Sequence, residues 1–516
     1  MKHLQSVNLN KNSKTLISDF KLDKLKISFI LLSALAVFIR LFKLDEIPAG
    51  FSWDEASIAY NAFSILKTGH DEWGFSFPLH FRAFGEWKLP VYIYSVIPFI
   101  SITNNFHLAA RLPSILSGLL SPFVLGLIWY KFSKNKTAGI IASLLLLFSF
   151  WSFSLSRSAF EANFSILVLL VSVLLFLHKK YFISALGFTS LLYTYNSYRI
   201  LLPLIIIGYI AIYRNNINWK KAVIFLATVL LFSLPLLRFI WMNSTALIRL
   251  DQVLPQENRL IFVIKNYLTY FSLDFLLLKG DSNLRHFSSS AGQFSILTVI
   301  LALIGIYRAI IDKKKEYLFL LFLLLISPIP AAITKDPEHS LRSILMLPVF
   351  LSFAVIGGSF LYSKSKKFLF ILTAFCAIQY IYFYSNYFSS YAQRSLKYWQ
   401  PGYRQLFEEI NRMDKDKQVY ISDAKEQPYI YYLLYNELIP ELDKTEMSIP
   451  GKWSESRLKR IGEYYFEDDL RMSQLISYRN SGIFVADVSQ KEYIPQDVKY
   501  KTIKVLGEDQ FYIVEY

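Results

Sequence analysis

The sequence predicts a mainly α-helical, polytopic membrane protein with a small α/β domain at its C-terminus. Of the 516 residues 54% are hydrophobic, and the mean hydropathy is +0.34, which is more apolar than soluble proteins of this length usually are. Apolar runs long enough to cross a bilayer recur along residues 25–388. From residue 391 the chain becomes charged and mixed, and strand-like runs alternate with helical patterns.

Eleven apolar runs approach the length of about 17 to 25 residues that a helix needs to cross a hydrocarbon core. They lie near residues 25–43, 109–130, 138–156, 162–178, 181–197, 199–213, 222–241, 293–310, 317–334, 341–362 and 367–388. A twelfth run, at residues 89–102, is short and contains two prolines, so it is either a span or an interfacial helix.

Basic clusters in the loops indicate the topology. The clusters fall at every second turn, as KFSKNK at 131–136, HKK at 178–180, RNNINWKK at 214–221, RAIIDKKKE at 308–316 and KSKK at 364–367. Since Lys and Arg concentrate in cytoplasmic loops, these loops and the lysine-rich tail, residues 1–24, are expected to be cytoplasmic. Residues 89–102 then lie in the interface or re-enter the membrane, and the transmembrane domain spans residues 25–388.

Eleven spans place the outer loops 44–108 and 242–292 on the extracytoplasmic face, together with the C-terminal domain, residues 389–516. That domain contains the strand-like runs KQVYIS, GIFVAD and QFYIVEY and the helical pattern YRQLFEEINRM. The net charge of +16 does not indicate nucleic-acid binding, because the basic residues come as short clusters between apolar runs. A single cysteine, Cys376, excludes an intrachain disulfide.

Two adjacent acids, Asp54 and Glu55, open a short helical pattern in the first outer loop. Ser52 and Glu55 have the spacing of a capping box, and Asp54 lies in the first turn, where the helix dipole favours an acid. Both acids therefore have a structural role open to them. Because adjacent helix positions point about 100° apart, one acid can close the cap while the other faces a cavity.

Several arginines lie at the predicted outer ends of spans, where the positive-inside bias disfavours them. They are Arg111, Arg157, Arg199, Arg238 and Arg342. Interfacial snorkelling explains any single arginine of this kind, whereas a cluster of guanidinium groups suits the bidentate binding of a lipid phosphate. The spans carry no charge near their midpoints, where an ionised side chain costs about 2.5 to 3.5 kcal/mol, and this favours chemistry at the membrane surface over transport.

Two outer segments add further polar candidates. The stretch LKGDSNLRHFSSSAG, at 278–292, contains Arg285 and His286 and is either a solvated turn or a lid or sugar-binding loop. The stretch YTYNSYR, at 193–199, joins two spans. Its tyrosines are expected at an interface, but Asn196 and Arg199 are not explained in this way.

Four ordered segments resemble the GT-C glycosyltransferases that use lipid-phosphate sugars, above all protein O-mannosyltransferases and lipid A aminoarabinose transferases. The segments are Asp54-Glu55, GEWKLPVYIY at 85–94, HLAARLPSILSGLL at 107–120 and SRSAFEANF at 156–164, with DPEHSLRSI at 336–344 as a later echo. The resemblance implies a multi-span fold with interfacial helices in the first outer loop. It also implies an inverting transfer in which Asp54 is the general base and Glu55 supports Asp54 or the acceptor site.

The resemblance extends to a phosphate site. Lys88 matches the lysine of the family's Lys-Pro-Pro stretch, although Leu89 replaces the first proline. We expect the donor phosphate to be bound by Lys88, Arg157, Arg199 and Arg342, since its growing charge must be neutralised as it leaves. Other substrate-site candidates are Glu86, Glu161, Asn196, Arg285, His286 and His339.

The sequence requires no cofactor. Trp87 stands where some aminoarabinose transferases have a metal-binding acid, and no two histidines lie at i, i+4. The sequence therefore leaves open whether the site binds a divalent metal.

The predicted function is the transfer of one hexose or pentose from a polyprenyl phosphate to a protein, lipid or glycan acceptor at the outer face of the cell membrane. Two alternatives remain. The first is a polyprenyl-diphosphate-dependent ligase or polymerase of similar architecture, and the second is a non-enzymatic lipid-sugar flippase or transporter, which the lack of midplane charge disfavours.

Overall fold

The computed structural model describes residues 24–243, 245–246, 254, 259–413, 416–439 and 458–516. The predicted cytoplasmic tail, residues 1–24, lies outside the described residues except for Lys24. Part of the predicted outer loop 242–292 also lies outside them.

The first outer loop folds into two short helices and a hairpin. Helix α2 (Trp53–Thr68) begins at the predicted capping box and ends at Gly69, whose φ of 75° is left-handed backbone that favours glycine. Strands β1 (Phe81–Ala83) and β2 (Glu86–Lys88) pair antiparallel. Helix α3 (Pro90–Ile102) has 13 residues, or about 20 Å, and is therefore too short to cross the membrane, as predicted.

The remaining helices up to residue 386 form the membrane bundle, together with helix α1 (Lys24–Leu41), which precedes the first outer loop. They are α4 (Phe106–Ser133), α5 (Lys136–Leu147), α6 (Phe150–Ser156), α7 (Glu161–Leu177), α8 (Tyr181–Leu192), α9 (Tyr198–Tyr213), α10 (Trp219–Met242), α11 (Arg259–Thr269), α12 (Ile296–Asp312), α13 (Lys315–Ile326), α14 (Ile329–Ala332), α15 (Met346–Lys364) and α16 (Lys366–Asn386). The chain is a multi-pass membrane protein, and its mainly helical fold class is confirmed.

The predicted number of eleven spans is not confirmed. Within the described residues six helices are long and apolar enough to cross a bilayer, and α5 with α6 makes a seventh if this pair, bent by 54°, is one span. The helices α7 and α8 have only 17 and 12 residues. Hydropathy alone does not reveal where an apolar run bends or stops.

A buried arginine stabilises the bend between α5 and α6. The last carbonyl groups of a helix have no partner within the helix, and Arg40 of α1 donates a hydrogen bond to the oxygen of Leu147 at 2.9 Å. The same guanidinium donates to the carbonyl oxygen of Ser152 at 3.2 Å and to Ser156 Oγ at 2.7 Å. Arg40 therefore holds the first helix against both arms of the bend.

The C-terminal region forms a six-stranded mixed sheet in the order β4-β5-β3-β6-β8-β7, with β5, β3 and β6 parallel. The strands are β3 (Val419–Ser422), β4 (Arg460–Ile461), β5 (Tyr464–Glu467), β6 (Ile483–Asp487), β7 (Tyr500–Val505) and β8 (Glu508–Glu515). Helices α18 (Tyr403–Ile410), α19 (Pro428–Tyr435) and α20 (Asp469–Ser477) cover it, and α17 (Ala392–Ser395) precedes it. The predicted α/β character is confirmed.

Alternating side chains of β6 separate two cores. Ile483 and Val485 pack with α18 and α19, whereas Phe484 and Ala486 pack with α20, as the two faces of a strand require. The first of these cores continues into α2. The C-terminal sheet therefore shares a core with the helix that begins with the acidic pair.

Helices α12 and α15 cross at two glycines. A Cβ atom on Gly305 would lie 1.9 Å from the carbonyl oxygen of Phe353, and one on Gly357 would lie 2.0 Å from that of Leu301. Small residues at such crossings let two helix backbones approach closely in a membrane. The crossing therefore depends on both glycines.

The variant Gly357→Ala is expected to push the two helices apart and to lower the free energy of unfolding by about 1 to 3 kcal/mol. Gly358→Ala is the matched control, because the nearest atom to its Cβ would be Ile141 Cγ2 at 3.3 Å. Thermal unfolding of both purified variants in one detergent measures the difference. Equal melting temperatures would contradict a tight crossing.

Candidate active site

The two adjacent acids at the start of α2 have different surroundings. Glu55 closes the predicted capping box: its Oε2 accepts a hydrogen bond from the Ser52 N–H at 3.2 Å, and its own N–H donates to Ser52 Oγ at 3.3 Å. Arg111 of α4 then donates to both Glu55 oxygens, at 2.9 and 3.0 Å. The Ala159 N–H donates to Oε1 at 3.0 Å. Glu55 is 2% exposed, so it anchors the helix start and does not face a substrate space.

Asp54 points to a more open space. Its side chain is 42% exposed, and Lys88 of β2 makes a short ion pair with Oδ1. Arg285, from the predicted outer loop 242–292, lies with Nη1 3.4 Å from Oδ2, and its guanidinium carbon is 4.7 Å from the centre of a Trp53 ring. Asp54 is therefore a reachable carboxylate that lies between cations from two different loops.

Acids around Lys88 keep it charged. The Lys88 side chain is 5% exposed, and burial alone would lower its pKa. Asp54, Glu86 and Glu161 outweigh burial and raise the pKa above its usual value. Three of the predicted substrate-site residues, Glu86, Glu161 and Lys88, thus lie in one electrostatic neighbourhood with Asp54.

Beside Arg285, two histidines and an aspartate form a compact cluster. Asp281, His286 and His339 each offer a possible ligand atom, and these atoms lie within 4.8 Å of one another. Two imidazoles and one carboxylate are a ligand set suited to zinc or iron. However, Asp281 Oδ2 already accepts hydrogen bonds from Ser340 N and Oγ, both at 2.8 Å, and lies 2.9 Å from His286 Nδ1. With these contacts, the carboxylate fixes the orientation of the His286 ring.

Arg157, which the sequence predicts to bind the donor phosphate, donates its hydrogen bonds to backbone carbonyl oxygens. The residue is fully buried, and its guanidinium donates to the carbonyl oxygens of Arg40 at 2.6 Å, Lys43 at 2.9 Å and Ile47 at 3.0 Å. These are the residues that lead from α1 into the first outer loop. Arg157 thus holds the backbone of that loop.

Arg342, Arg199 and Asn196 lie around one turn. The Ser197 hydroxyl donates to the Arg342 carbonyl oxygen at 3.0 Å, which joins the turn at 193–199 to the segment that follows His339. Arg342 Nη1 contacts Asp336 Oδ2 at 2.9 Å and Thr334 Oγ1 at 2.8 Å. The Val91 N–H donates to the Tyr193 carbonyl oxygen at 3.2 Å, and this bond ties the same turn to the segment just after Lys88.

Comparison with known proteins shows the fold. Neither the known family models nor the curated proteins include a match to the sequence. Among solved structures, ArnT from Cupriavidus metallidurans in the apo state aligns over 95% of this chain and 97% of its own, with a TM-score of 0.58 at 11% identity. The same protein bound to undecaprenyl phosphate aligns over 94% and 97%, again with a TM-score of 0.58 and 11% identity. The chain has the GT-C fold.

The resemblance to GT-C proteins that the sequence predicts is thereby confirmed as a likeness of fold. The archaeal oligosaccharyltransferase AglB from Archaeoglobus fulgidus, in complex with an inhibitory peptide and a dolichol-phosphate, aligns over 80% of this chain and 64% of its own, with a TM-score of 0.49 at 12% identity. The nearly complete mutual coverage with ArnT includes both the helical bundle and the C-terminal region.

Within this GT-C fold, Glu72 is a candidate that the sequence analysis missed. It is 3% exposed, and its Oε1 accepts a hydrogen bond from Trp73 Nε1 at 3.1 Å. Burial and then repulsion by Asp71 raise the pKa of Glu72 to about 8, and Lys88 acts in the opposite direction. The carboxyl is therefore neutral at pH 7 and close enough to Lys88 to respond to its charge. The sequence signal is HDEW at 70–73, in which two acids follow His70, the residue after the glycine that ends α2.

Glu72 predicts a pH dependence of stability. Its pKa is about 8 in the folded protein against 4.5 as the ordinary value, so unfolding releases a proton between these limits. The contribution of Glu72 to the free energy of unfolding therefore falls as the pH rises from about 4.5 to 8, by about 1.4 kcal/mol for each pKa unit at most. Glu72→Gln mimics the neutral carboxyl, so the variant is expected to gain stability relative to wild type over this range.

Melting temperatures of both proteins at pH 5, 6, 7 and 8 measure this effect. Glu46→Gln is the control, because the Glu46 side chain is mostly exposed and pairs with Lys43 at 3.1 Å. Parallel pH profiles of wild type and Glu72→Gln would contradict a buried neutral carboxyl.

Proposed function

We propose that the protein transfers one sugar from a polyprenyl phosphate to a hydroxyl group of an acceptor at the outer face of the membrane. The observation that carries the proposal is the difference between the two adjacent acids. Both Glu55 carboxylate oxygens accept hydrogen bonds, from Arg111 and from the backbone at the helix start. Asp54, in contrast, is partly exposed and lies between Lys88 and Arg285.

Asp54 acts as the general base. A base must come within hydrogen-bond reach of the proton that it removes, and Asp54 is the member of the acidic pair with an open side. Before the substrates bind, its two oxygens contact Lys88 and Arg285. The rigid start of α2, held by Glu55, fixes its direction.

Lys88 and Arg285 bind the donor phosphate. A phosphate that enters beside Asp54 competes for both cations, since charge-assisted bonds to phosphate are as strong as those to carboxylate. This exchange frees the Asp54 oxygens for the acceptor hydroxyl. The same two cations then neutralise the charge that grows on the phosphate as the sugar leaves it.

The reaction is a single displacement with inversion. The acceptor oxygen forms a bond to C1 of the sugar while the bond between C1 and the phosphate oxygen breaks. The electron pair of the broken bond stays on the phosphate, and the hydroxyl proton moves to Asp54. The products are the glycosylated acceptor and free polyprenyl phosphate.

The proposed donor class rests on fold and surroundings. The structural neighbour ArnT binds undecaprenyl phosphate, and its fold covers nearly all of this chain. Lys88 directly precedes α3, and Arg285 lies in the segment before the membrane helix α12. The proposed sugar is a hexose or pentose, and the acceptor hydroxyl belongs to a protein, a lipid or a glycan.

The variant Asp54→Asn is expected to lower turnover by about 10²- to 10⁴-fold, the usual contribution of a positioned base. The assay measures free polyprenyl phosphate released from a panel of lipid-phosphate sugars, with membrane extract as the source of acceptor. Glu46→Gln, an exposed acid in the same loop, is the control and should retain wild-type turnover. Equal release by wild type and a normally folded Asp54→Asn would refute the catalytic assignment, and a flippase would also be unaffected by this variant.

The variants Lys88→Met and Arg285→Met are expected to lower kcat/KM for the donor by about 10²-fold each, because each removes a cation from the departing phosphate. Arg238→Met is the matched control, since Arg238 is exposed and its Nε contacts only Met242 Sδ, at 3.3 Å, among the contacts described for it. Arg157→Met should instead lower the melting temperature. A large loss of kcat/KM with Arg238→Met, or none with Lys88→Met, would contradict the proposed phosphate site.

A further inference from the structure

A cavity of about 570 Å³ lies inside the membrane bundle at the end opposite Asp54. Helix α9 connects the two ends of the bundle. It begins at Tyr198, next to the Ser197 contact with Arg342, and it ends at Tyr213, which lines the cavity. The wall combines side chains of α4, α7, α8, α9, α10, α13 and α15. The volume falls within the range of about 300 to 1,000 Å³ that is usual for ligand pockets.

The inner part of the cavity is lined mainly by apolar residues, and its mouth is lined by polar ones. Leu125, Leu170 and Leu202 line the inner part and are buried. Asn216 and Lys221 also line the cavity but are exposed, so they mark the side on which it opens. A ligand that fits both parts has a hydrocarbon chain and a polar end.

Positive charge surrounds the mouth. Lys221 Nζ lies 5.4 Å from the centre of the Tyr181 ring, and both residues line the cavity. Lys315 Nζ contacts Asn216 Oδ1 at 2.5 Å, which joins the loops before α10 and α13. Further lysines lie in the loops before α8 and α13 and at the start of α10. They are Lys179, Lys180, Lys313, Lys314 and Lys220. Among the described residues that line the cavity, Lys221 is the one basic residue and Glu316 the one acid. The neighbouring lysines therefore make the mouth positive, which favours an anionic polar end on the ligand.

We propose that this cavity binds a hydrocarbon chain of an anionic phospholipid, whose phosphate lies at Lys221. The lipid comes from the leaflet on the lysine-bearing side of the membrane. Burial of the chain is favourable by about 25 cal/mol for each square ångström of apolar surface removed from water. Basic pockets between membrane helices at the cytoplasmic side are a known site for anionic head groups. The inner wall is mainly apolar, and its buried polar groups Trp129 Nε1 and Ser352 Oγ are hydrogen-bonded to each other at 3.3 Å, so it favours a hydrocarbon chain over a water-soluble ligand.

This site is separate from the donor site. The 16 residues of α9 extend about 24 Å, which separates Lys221 from the turn near Arg342. A phosphate at Lys221 therefore cannot be the one that Lys88 and Arg285 bind. The inference stands whether or not the protein transfers a sugar.

Two pairs of adjacent positions on α10 provide matched variants. Ala222 lines the cavity, whereas Val223 does not and is 61% exposed. Likewise Lys221 lines the mouth and Lys220 does not, although both are exposed. Ala222→Phe should fill the entrance, and Lys221→Gln should remove the charge that binds the phosphate. Outside the cavity, Val223→Phe introduces the same phenylalanine side chain, and Lys220→Gln removes the same positive charge.

The experiment uses the full-length protein, purified in detergent and mixed with dioleoyl phosphatidylglycerol or dioleoyl phosphatidylcholine. Native mass spectrometry then measures how many lipids each variant retains. We expect wild type to retain phosphatidylglycerol in preference to phosphatidylcholine. Ala222→Phe should abolish retention of phosphatidylglycerol, and Lys221→Gln should lower it about fivefold. Retention by Val223→Phe and Lys220→Gln should stay within twofold of wild type.

Three outcomes would overturn the inference. The first is equal retention of both lipids by wild type, and the second is equal loss with Ala222→Phe and Val223→Phe. The third comes from a competition arm with undecaprenyl phosphate. If that lipid displaces phosphatidylglycerol and its retention also depends on Ala222 and Lys221, the cavity belongs to the polyprenyl carrier instead. Melting temperatures of all four variants separate loss of lipid from loss of fold.

Discussion

The ion pair between Glu55 and Arg111 is the interaction on which the proposed site depends. Both side chains are buried, and removing one partner of such a pair typically costs about 3 to 5 kcal/mol because the other charge is left without compensation. The pair joins the start of α2 to α4, and Ala159 adds a bond from the segment before α7. The direction of α2 is thus fixed at the residue next to Asp54. A catalytic carboxylate needs this kind of support, because small displacements of a reacting group reduce the rate strongly.

The same arrangement explains why two acids are adjacent. One of them satisfies the free N–H groups of a helix start and a buried guanidinium, while the other stays available. Two cations meet at Asp54: Lys88 and Arg285 contact its carboxylate, and Glu86 and Glu161 also act on Lys88. A phosphate that enters beside Asp54 competes with the carboxylate for these cations. Both cations are already in place before the phosphate enters, which is the main advantage of a preformed electrostatic site.

The sequence predicted local structure well. The capping box at Ser52, the stop at Gly69 and the strands within KQVYIS, GIFVAD and QFYIVEY are all present, because each depends on neighbouring residues. The sequence could not predict contacts between residues that are far apart in the chain. The contact of Arg157 with the Arg40 carbonyl joins residues 117 positions apart, and in a sequence an arginine that binds carbonyl oxygens looks the same as one that binds phosphate. Apolar composition also continues through the bend between α5 and α6, so hydropathy could not show that the run at 138–156 is bent.

The shared core of α2 and the C-terminal sheet also has a consequence for biosynthesis. Tyr431 of α19 donates its hydroxyl hydrogen bond to the Phe51 carbonyl oxygen at 2.7 Å, across 380 residues of sequence. Tyr60 of α2 reaches the Leu438 carbonyl oxygen in the same way, at 2.8 Å. At about 5 to 20 residues per second, a ribosome takes roughly 20 to 80 s to make the intervening chain. The helix that carries Asp54 is therefore made well before its final packing partners, and its packing is complete only when the last strands have folded.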